Sequence, residues 1–365
     1  MWRVTIKGIL ARKVRFLLTG VAVMLGVAFV SGTLVLTATI GHTFDNLFST
    51  IYAHTDAIVR EKASLGSGFE QQRGRIDTRV LDTVKTWVEP VAAVPGAGSQ
   101  EPLGSYREPR DVARAPDGTL YVADFANRRI QRVDSKLRPI GGFGTEGDAP
   151  GQFRDPCGVA VGDDGRVYVA DTWNHRVQKL SAKGEPIAEW AAGFYGPRGI
   201  ALDHAGRIYV ADTGNRRVVR LSAAGIVERE WGRENDVLSA PVGIAVSAQD
   251  EVYVADTGNQ RIAVFSLDGE LLRQWPIDGW KPGSLREPYL DVGRDGVVWV
   301  TDPSGDRVLL FDENGKPLGV GQASRALSVP TGIAVIDLDH AVVANAGNHS
   351  LAVVSRTANT SVVPK

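Results

Sequence analysis

Between about Arg110 and Val354 the chain repeats one phrase six times: Pro-x-Gly-aliphatic-Ala-aliphatic, a Gly turn, then aromatic-Val-Ala-Asp, Asn, Arg and an aliphatic residue. The clearest copy runs Pro197-Arg198-Gly199-Ile200-Ala201-Leu202, then Arg207 to Asp212, then Asn215, Arg216, Arg217 and Val218. Asp111 and Leu290 replace the Gly of the first and fifth copies. The acids that close the second segment are Asp124, Asp171, Asp212, Asp256 and Asp302, with Asn345 in the sixth slot, and they recur every 41 to 47 residues. Short alternating strands at that period are the signature of four-stranded blades arranged radially. A single blade exposes two apolar faces that only neighbouring blades can cover, so the copies must close into a ring. The fold expected is all-β, a six-bladed propeller over residues 107–365.

Each copy reads as four strands. In the third, these are an inner strand near Gly199–Asp203, a second at Arg207–Asp212, a third at Arg216–Ser222 and an outer one at Ile226–Trp231. The loop Thr213-Gly214-Asn215 carries residues that suit left-handed dihedrals. Trp190, Trp231 and Trp275 end successive outer strands, with Phe143 in the earlier equivalent place. Ring closure is expected to use a strand near Ser99–Tyr106 or Thr357–Val363.

The first hundred residues are different in kind. Phe16 to Ile40 contains no charged residue. As a helix it would span roughly 37 Å, enough to cross a hydrocarbon core of about 30 Å. Arg3, Lys7, Arg12, Lys13 and Arg15 precede it, and the first charge afterwards is Asp45. The positive-inside rule then puts the N-terminus in the cytoplasm and the repeats outside. The domain reading is a basic cytoplasmic segment at 1–15, one transmembrane helix at 16–40, an extracytoplasmic stalk and linker at 41–106, and the propeller. The expected location is the cytoplasmic membrane, crossed once. Residues 101–365 hold 30 basic and 35 acidic side chains. An acidic balance suits nucleic acid poorly, because affinity there rests on neutralising phosphates. The one cysteine, Cys157, excludes an internal disulfide.

The repeated wording Asp124/Asn127/Arg129, Asp171/Asn174/Arg176, Asp212/Asn215/Arg217 and Asp256/Asn259/Arg261, weakened to Asp302/Arg307 in the fifth copy, resembles the NHL-repeat family, whose members form six-bladed propellers. The segment from Met1 to Phe16, with Leu25-Gly26-Val27-Ala28-Phe29 and Gly32 to Thr37, resembles the N-terminus of FtsX-type, MacB-like ABC-transporter permeases. Those permeases carry further membrane spans, and no other apolar run in this chain approaches the length of one.

A catalytic site needs one asymmetric constellation, whereas the Asp/Asn/Arg set recurs blade after blade. It is therefore read as a structural brace. The residues that vary follow each opening Pro: Arg110, Cys157, Arg198, Val242, Tyr289 and Thr331. They are expected at the mouth of the central channel, where two arginines and a tyrosine suit an anionic ligand. None of the six is His, and no paired cysteines or zinc-type His spacing occurs, so neither metal nor cofactor is expected. The function expected is non-enzymatic recognition of a protein or small ligand at the outer face of the membrane. Two alternatives stand beside it: an accessory or truncated subunit related to ABC-transporter permeases, and a propeller lyase or lactonase-type hydrolase, which the resemblance to related propellers suggests.

Overall fold

The computed structural model describes residues 101–233, 237–281 and 287–356. The segment read as a membrane anchor and stalk lies outside them, and no helix among the described residues is long and apolar enough to cross a membrane. Six four-stranded antiparallel sheets follow one another along the chain. Blade one is β1 Pro109–Arg114, β2 Leu120–Asp124, β3 Arg129–Val133 and β4 Pro139–Phe143. Blade two is β5 Pro156–Val161, β6 Val167–Asp171, β7 Arg176–Leu180 and β8 Pro186–Trp190. Blade three is β9 Pro197–Leu202, β10 Ile208–Asp212, β11 Arg217–Leu221 and β12 Val227–Trp231. Blade four is β13 Pro241–Val246, β14 Glu251–Asp256, β15 Arg261–Ser266 and β16 Leu271–Pro276. Blade five is β17 Leu290–Val292, β18 Val298–Asp302, β19 Arg307–Phe311 and β20 Pro317–Val320. Blade six is β22 Pro330–Val335, β23 His340–Asn345 and β24 Ser350–Ser355, edged by β21 Gln322–Ala323.

That edge strand corrects the expected ring closure. Blade six takes its outer strand from the link out of blade five, where Gln322 pairs with Ser355 and Ala323 with Val354. Residues 101–106 form no strand. They brace blade one instead: Arg129 Nη2 and Gln131 Nε2 donate to the Ser105 carbonyl at 2.8 and 2.7 Å, and Gly104 N donates to Gln131 Oε1 at 2.8 Å. The compact unit accordingly begins near Ala97, while Ser99 and 357–363 lie outside the described residues. Blades six and one meet through side chains. Thr331 Oγ1 donates to the Pro109 carbonyl at 3.0 Å, and Val112, Leu120, Val122 and Val133 share a core with Ala334, Val342 and Leu351.

Two devices set the spacing between blades. Near the axis, the small residue after x lets adjacent inner strands abut. A methyl group on Gly158 would lie 2.0 Å from the Arg198 carbonyl oxygen, so only glycine fits, and Gly199, Gly243 and Gly332 meet the next blade in the same way. Where Asp111 and Leu290 replace glycine, a carboxylate spans the joint. Asp111 Oδ2 accepts from Val159 N at 3.0 Å, and Asp291 Oδ2 accepts from Val335 N at 2.8 Å. Farther out, the aromatic that ends one outer strand seats on the left-handed hairpin glycine of the next blade. Trp190 on Gly225 (φ +83°) is the tightest, and Phe143 on Gly184, Trp231 on Gly269 and Trp275 on Gly315 repeat it.

The tight loop after β10 differs from the expectation. The left-handed residue is Arg216 (φ 56°), at the end of a single 3-10 turn, and neither Gly214 nor Asn215. Gly214 is small for another reason, since a side chain there would strike Tyr195. The equivalent residues keep side chains despite a conformational cost of about 1–2 kcal/mol, because those side chains reach the next blade. His175 Nδ1 accepts from Gly196 N and His349 Nδ1 from Glu108 N, both at 3.1 Å, and Asp306 Oδ1 accepts from Val329 N at 2.7 Å.

Candidate functional site

The closing acid of the second strand is the hub of each blade. Asp212, fully buried, accepts from Tyr195 N at 2.8 Å, Asn215 Nδ2 at 2.8 Å and Arg217 Nε at 2.7 Å. Asp124 gathers Arg107 N, Asn127, Arg129 and Gln131. Asp171 gathers Arg154 N, Asn174, Arg176 and Gln178. Asp256 gathers Ser239 N, Asn259 and Arg261. Asp302 holds Gly305 N and Arg307, while Asn345 takes Ser328 N through Oδ1. Each hub ties the loop before the opening Pro to the end of the second strand, or closes its own turn. Among the described residues each of these carboxylates accepts at least two hydrogen bonds from donors that the fold itself supplies, as a brace would.

The asymmetric residues lie where the inner strands begin. Tyr289, buried in blade five, donates its hydroxyl to the Cys157 carbonyl of blade two at 3.1 Å. Those blades are three apart in a ring of six, so the phenol crosses the axis and stoppers the channel at this end. Beneath it lies a lumen of about 260 Å³, walled by the inner strands and holding the carboxylates of Asp111 and Asp291. Cys157, Val242 and Thr331 are buried in the rim of the stopper, while Arg110 and Arg198 are partly reachable. Burial pushes the Cys157 thiol up to about 12, which leaves it protonated and unreactive at neutral pH.

The residue that the sequence reading missed is Glu287. It precedes the opening Pro of blade five, and its carboxylate meets Arg198 Nε of blade three at 2.6 Å. Burial pushes Glu287 up, but Arg198 and Arg110 overcome this and hold it below the usual glutamate range. Arg110 turns to Glu108 at 3.0 Å and over the Phe125 ring at 4.5 Å. The mouth is therefore neutralised from within. Among the described residues two buried atoms here, Glu287 Oε2 and Arg110 Nε, have no hydrogen-bond partner. A signal was present in the sequence: the slot before the opening Pro is acidic in three copies, Glu108, Asp155 and Glu287. On the adjoining loops Trp173 and Tyr195 are half exposed, with the Tyr195 ring stacked on His175 at 5.2 Å. Arg198 Nη1 reaches to within 4.0 Å of the Cβ position of Gly196, next to that ring. Among the described residues no three His, Cys, Asp or Glu converge as a metal site would require.

In the lumen, burial raises Asp111 well above the carboxylate range, with Asp291 adding to the effect, and raises Asp291 to about 6. A carboxyl that binds its proton more tightly when folded adds stability that is complete below about pH 4. That contribution is lost as pH rises through about 6. The unfolding free energy of the chain is therefore expected to fall more steeply from pH 4.5 to 6.5 than that of Asp291→Asn. Urea titrations at three pH values in that window check this, and parallel slopes would contradict it.

The NHL repeat model matches residues 153–180, 194–221 and 238–265, the first three strands of blades two, three and four. No curated protein matches the chain. Virginiamycin B lyase from Staphylococcus aureus is 17% identical with a TM-score of 0.52, over 67% of this chain and 79% of that one. A gluconolactonase from Xanthomonas campestris is 20% identical with a TM-score of 0.54, over 69% and 87%. Hydrazine synthase from Kuenenia stuttgartiensis is 14% identical with a TM-score of 0.52, over 73% and 100%. At such identities the likeness is one of fold. The chain is a six-bladed β-propeller that carries NHL repeats.

Proposed function

We propose that this propeller is a non-enzymatic recognition module, held at the outer face of the cytoplasmic membrane by residues 16–40, and that its mouth rim binds a protein. The observation that carries the reading is the surface of blades two and three, where exposed Trp173 and Tyr195 stand on loops joined by the His175–Gly196 hydrogen bond, two residues before Arg198. Trp, Tyr and Arg are the residues that concentrate binding energy at protein interfaces. A neutral, mixed donor and acceptor surface suits a polypeptide better than a strongly charged ligand. ABC-transporter components, the kind of partner implied by the N-terminal resemblance, are candidates.

The test is capture of envelope proteins by the full chain in detergent, with labelling of single engineered cysteines in intact cells to report sidedness. Trp173→Ala is expected to weaken capture of a specific partner about tenfold or more with thermal stability retained, and Arg198→Ala to weaken capture while also lowering stability, because it strands the buried Glu287 carboxylate. Equal capture by both variants, or labelling of the propeller only after cell lysis, would overturn the reading.

A further inference from the structure

The blades also disagree on the face opposite the mouth. In the second strand of four blades a tyrosine stands across from the third strand, and in three of them the partner is a base: Tyr121 pairs with Arg132, Tyr168 with Lys179 and Tyr209 with Arg220. In blade three both members are satisfied, since Tyr209 Oη donates to Asp203 Oδ2 at 3.0 Å and Arg220 meets Glu228 and Asp268 at 3.1 and 3.0 Å. In blade one Tyr121 Oη donates to the Ala182 carbonyl at 3.2 Å, and in blade four Tyr253 Oη donates to Glu251 at 3.1 Å. Blade two breaks the pattern. Among the described residues the Tyr168 hydroxyl has no hydrogen-bond partner, unlike those of Tyr121, Tyr209 and Tyr253. Lys179, only 8% exposed, has no carboxylate among the described residues, and its ammonium touches the Ala223 carbonyl at 3.4 Å and the Tyr168 ring at 5.2 Å.

Both groups line a cavity of about 250 Å³ between blades two and three, walled by the hairpins at Gly162–Arg166 and Asp203–Gly206. A buried ammonium with three donors and one long hydrogen bond is under-satisfied, and an oxyanion would satisfy it. The other charges there are already engaged. Asp164 holds Arg166 at 2.9 Å, and Asp203 holds Arg207 at 2.6 Å. Asp163 and His204 stand at the exposed rim, 3.9 Å apart. One unpaired positive charge matches one negative charge, whereas a phosphate dianion would face Asp163 and Asp164. The rim pair offers an acceptor and a donor for hydroxyl groups. At about 30 Å³ per water-sized volume, the cavity holds a molecule of several carbon atoms.

We propose that this groove is a second binding site, for a small hydroxylated monocarboxylate held by Lys179 Nζ and Tyr168 Oη. It is independent of the mouth, because it lies at the other end of the strands and uses none of the same residues. The test is isothermal titration calorimetry on the full chain with sodium lactate, sodium gluconate, inorganic phosphate and glycerol. Saturable millimolar binding of at least one carboxylate is expected, with none for glycerol. Lys179→Met is expected to weaken it about tenfold or more and Tyr168→Phe roughly threefold. Lys179 has no carboxylate to strand, so its replacement leaves the melting temperature nearly unchanged. Tyr168→Phe removes only the unpaired hydroxyl and serves as the second arm. Absence of carboxylate binding at 50-fold excess over the millimolar range, undiminished binding by Lys179→Met, or tighter binding of phosphate than of either carboxylate would each overturn the proposal.

Discussion

Asp212→Ala is expected to lower the unfolding free energy by about 3–5 kcal/mol, because it strands a buried guanidinium and two further donors. The Arg217 side chain is 11% exposed and has Asp212 as its inner partner, with Glu230 at the open end. Tyr195 N and Asn215 Nδ2 lose their acceptor in the same step. Asp302→Ala is the informative comparison. Its Arg307 is 44% exposed, so water can take over the released guanidinium and the cost should be clearly smaller. Urea denaturation of both variants measures the difference. Equal costs, or a cost near zero for Asp212→Ala, would mean that the repeated acid is not a brace.

Gly158→Ala is expected to cost about 3 kcal/mol or more, an extreme case of overpacking because the obstacle is backbone. The added methyl would meet the Arg198 carbonyl oxygen at 2.0 Å, so blades two and three would have to part at the axis. Gly165→Ala is the control. Gly165 has φ +74° and nothing within 4 Å of its Cβ position, so that variant feels left-handed strain alone. About 1–2 kcal/mol is the expected effect there. Thermal or chemical unfolding ranks the two. A ring that tolerates Gly158→Ala as well as Gly165→Ala would show that the inner strands are not in hard contact.

The fold was legible in the sequence because a propeller writes each element several times. In blade three the expected second strand, Arg207–Asp212, and the observed β10, Ile208–Asp212, differ by one residue. Ring closure was not legible, because the outer strand of blade six is two residues bent out of an inter-blade link, and periodicity carries no trace of it. The departures at Asp111 and Leu290 were visible as departures. Their meaning was not, since a carboxylate bridge exists only once the neighbouring blade is in place.

The site was legible in part. The residue after each opening Pro lies where an inner strand begins, and its exposure depends on what crosses the axis. Tyr289 spans to blade two and buries Cys157 with it, while Glu287, one residue before the Pro, supplies the charge that answers Arg198. The lysine and tyrosine of the second groove needed the cross-strand register, Tyr168 opposite Lys179, before a comparison of blades could single them out.

The central claim is that what repeats is scaffold and what differs between blades carries function. The measurement that bears on it most directly pairs melting temperature with partner capture in two variants of the full chain, Asn215→Ala from the repeated set and Trp173→Ala from the divergent positions. The account predicts a crossed result: Asn215→Ala melts lower and captures as the parent chain does, while Trp173→Ala keeps the parent melting temperature and loses capture. If Asn215→Ala lost capture while fully folded, or if Trp173→Ala captured normally, the division between scaffold and function drawn from the blades would be contradicted.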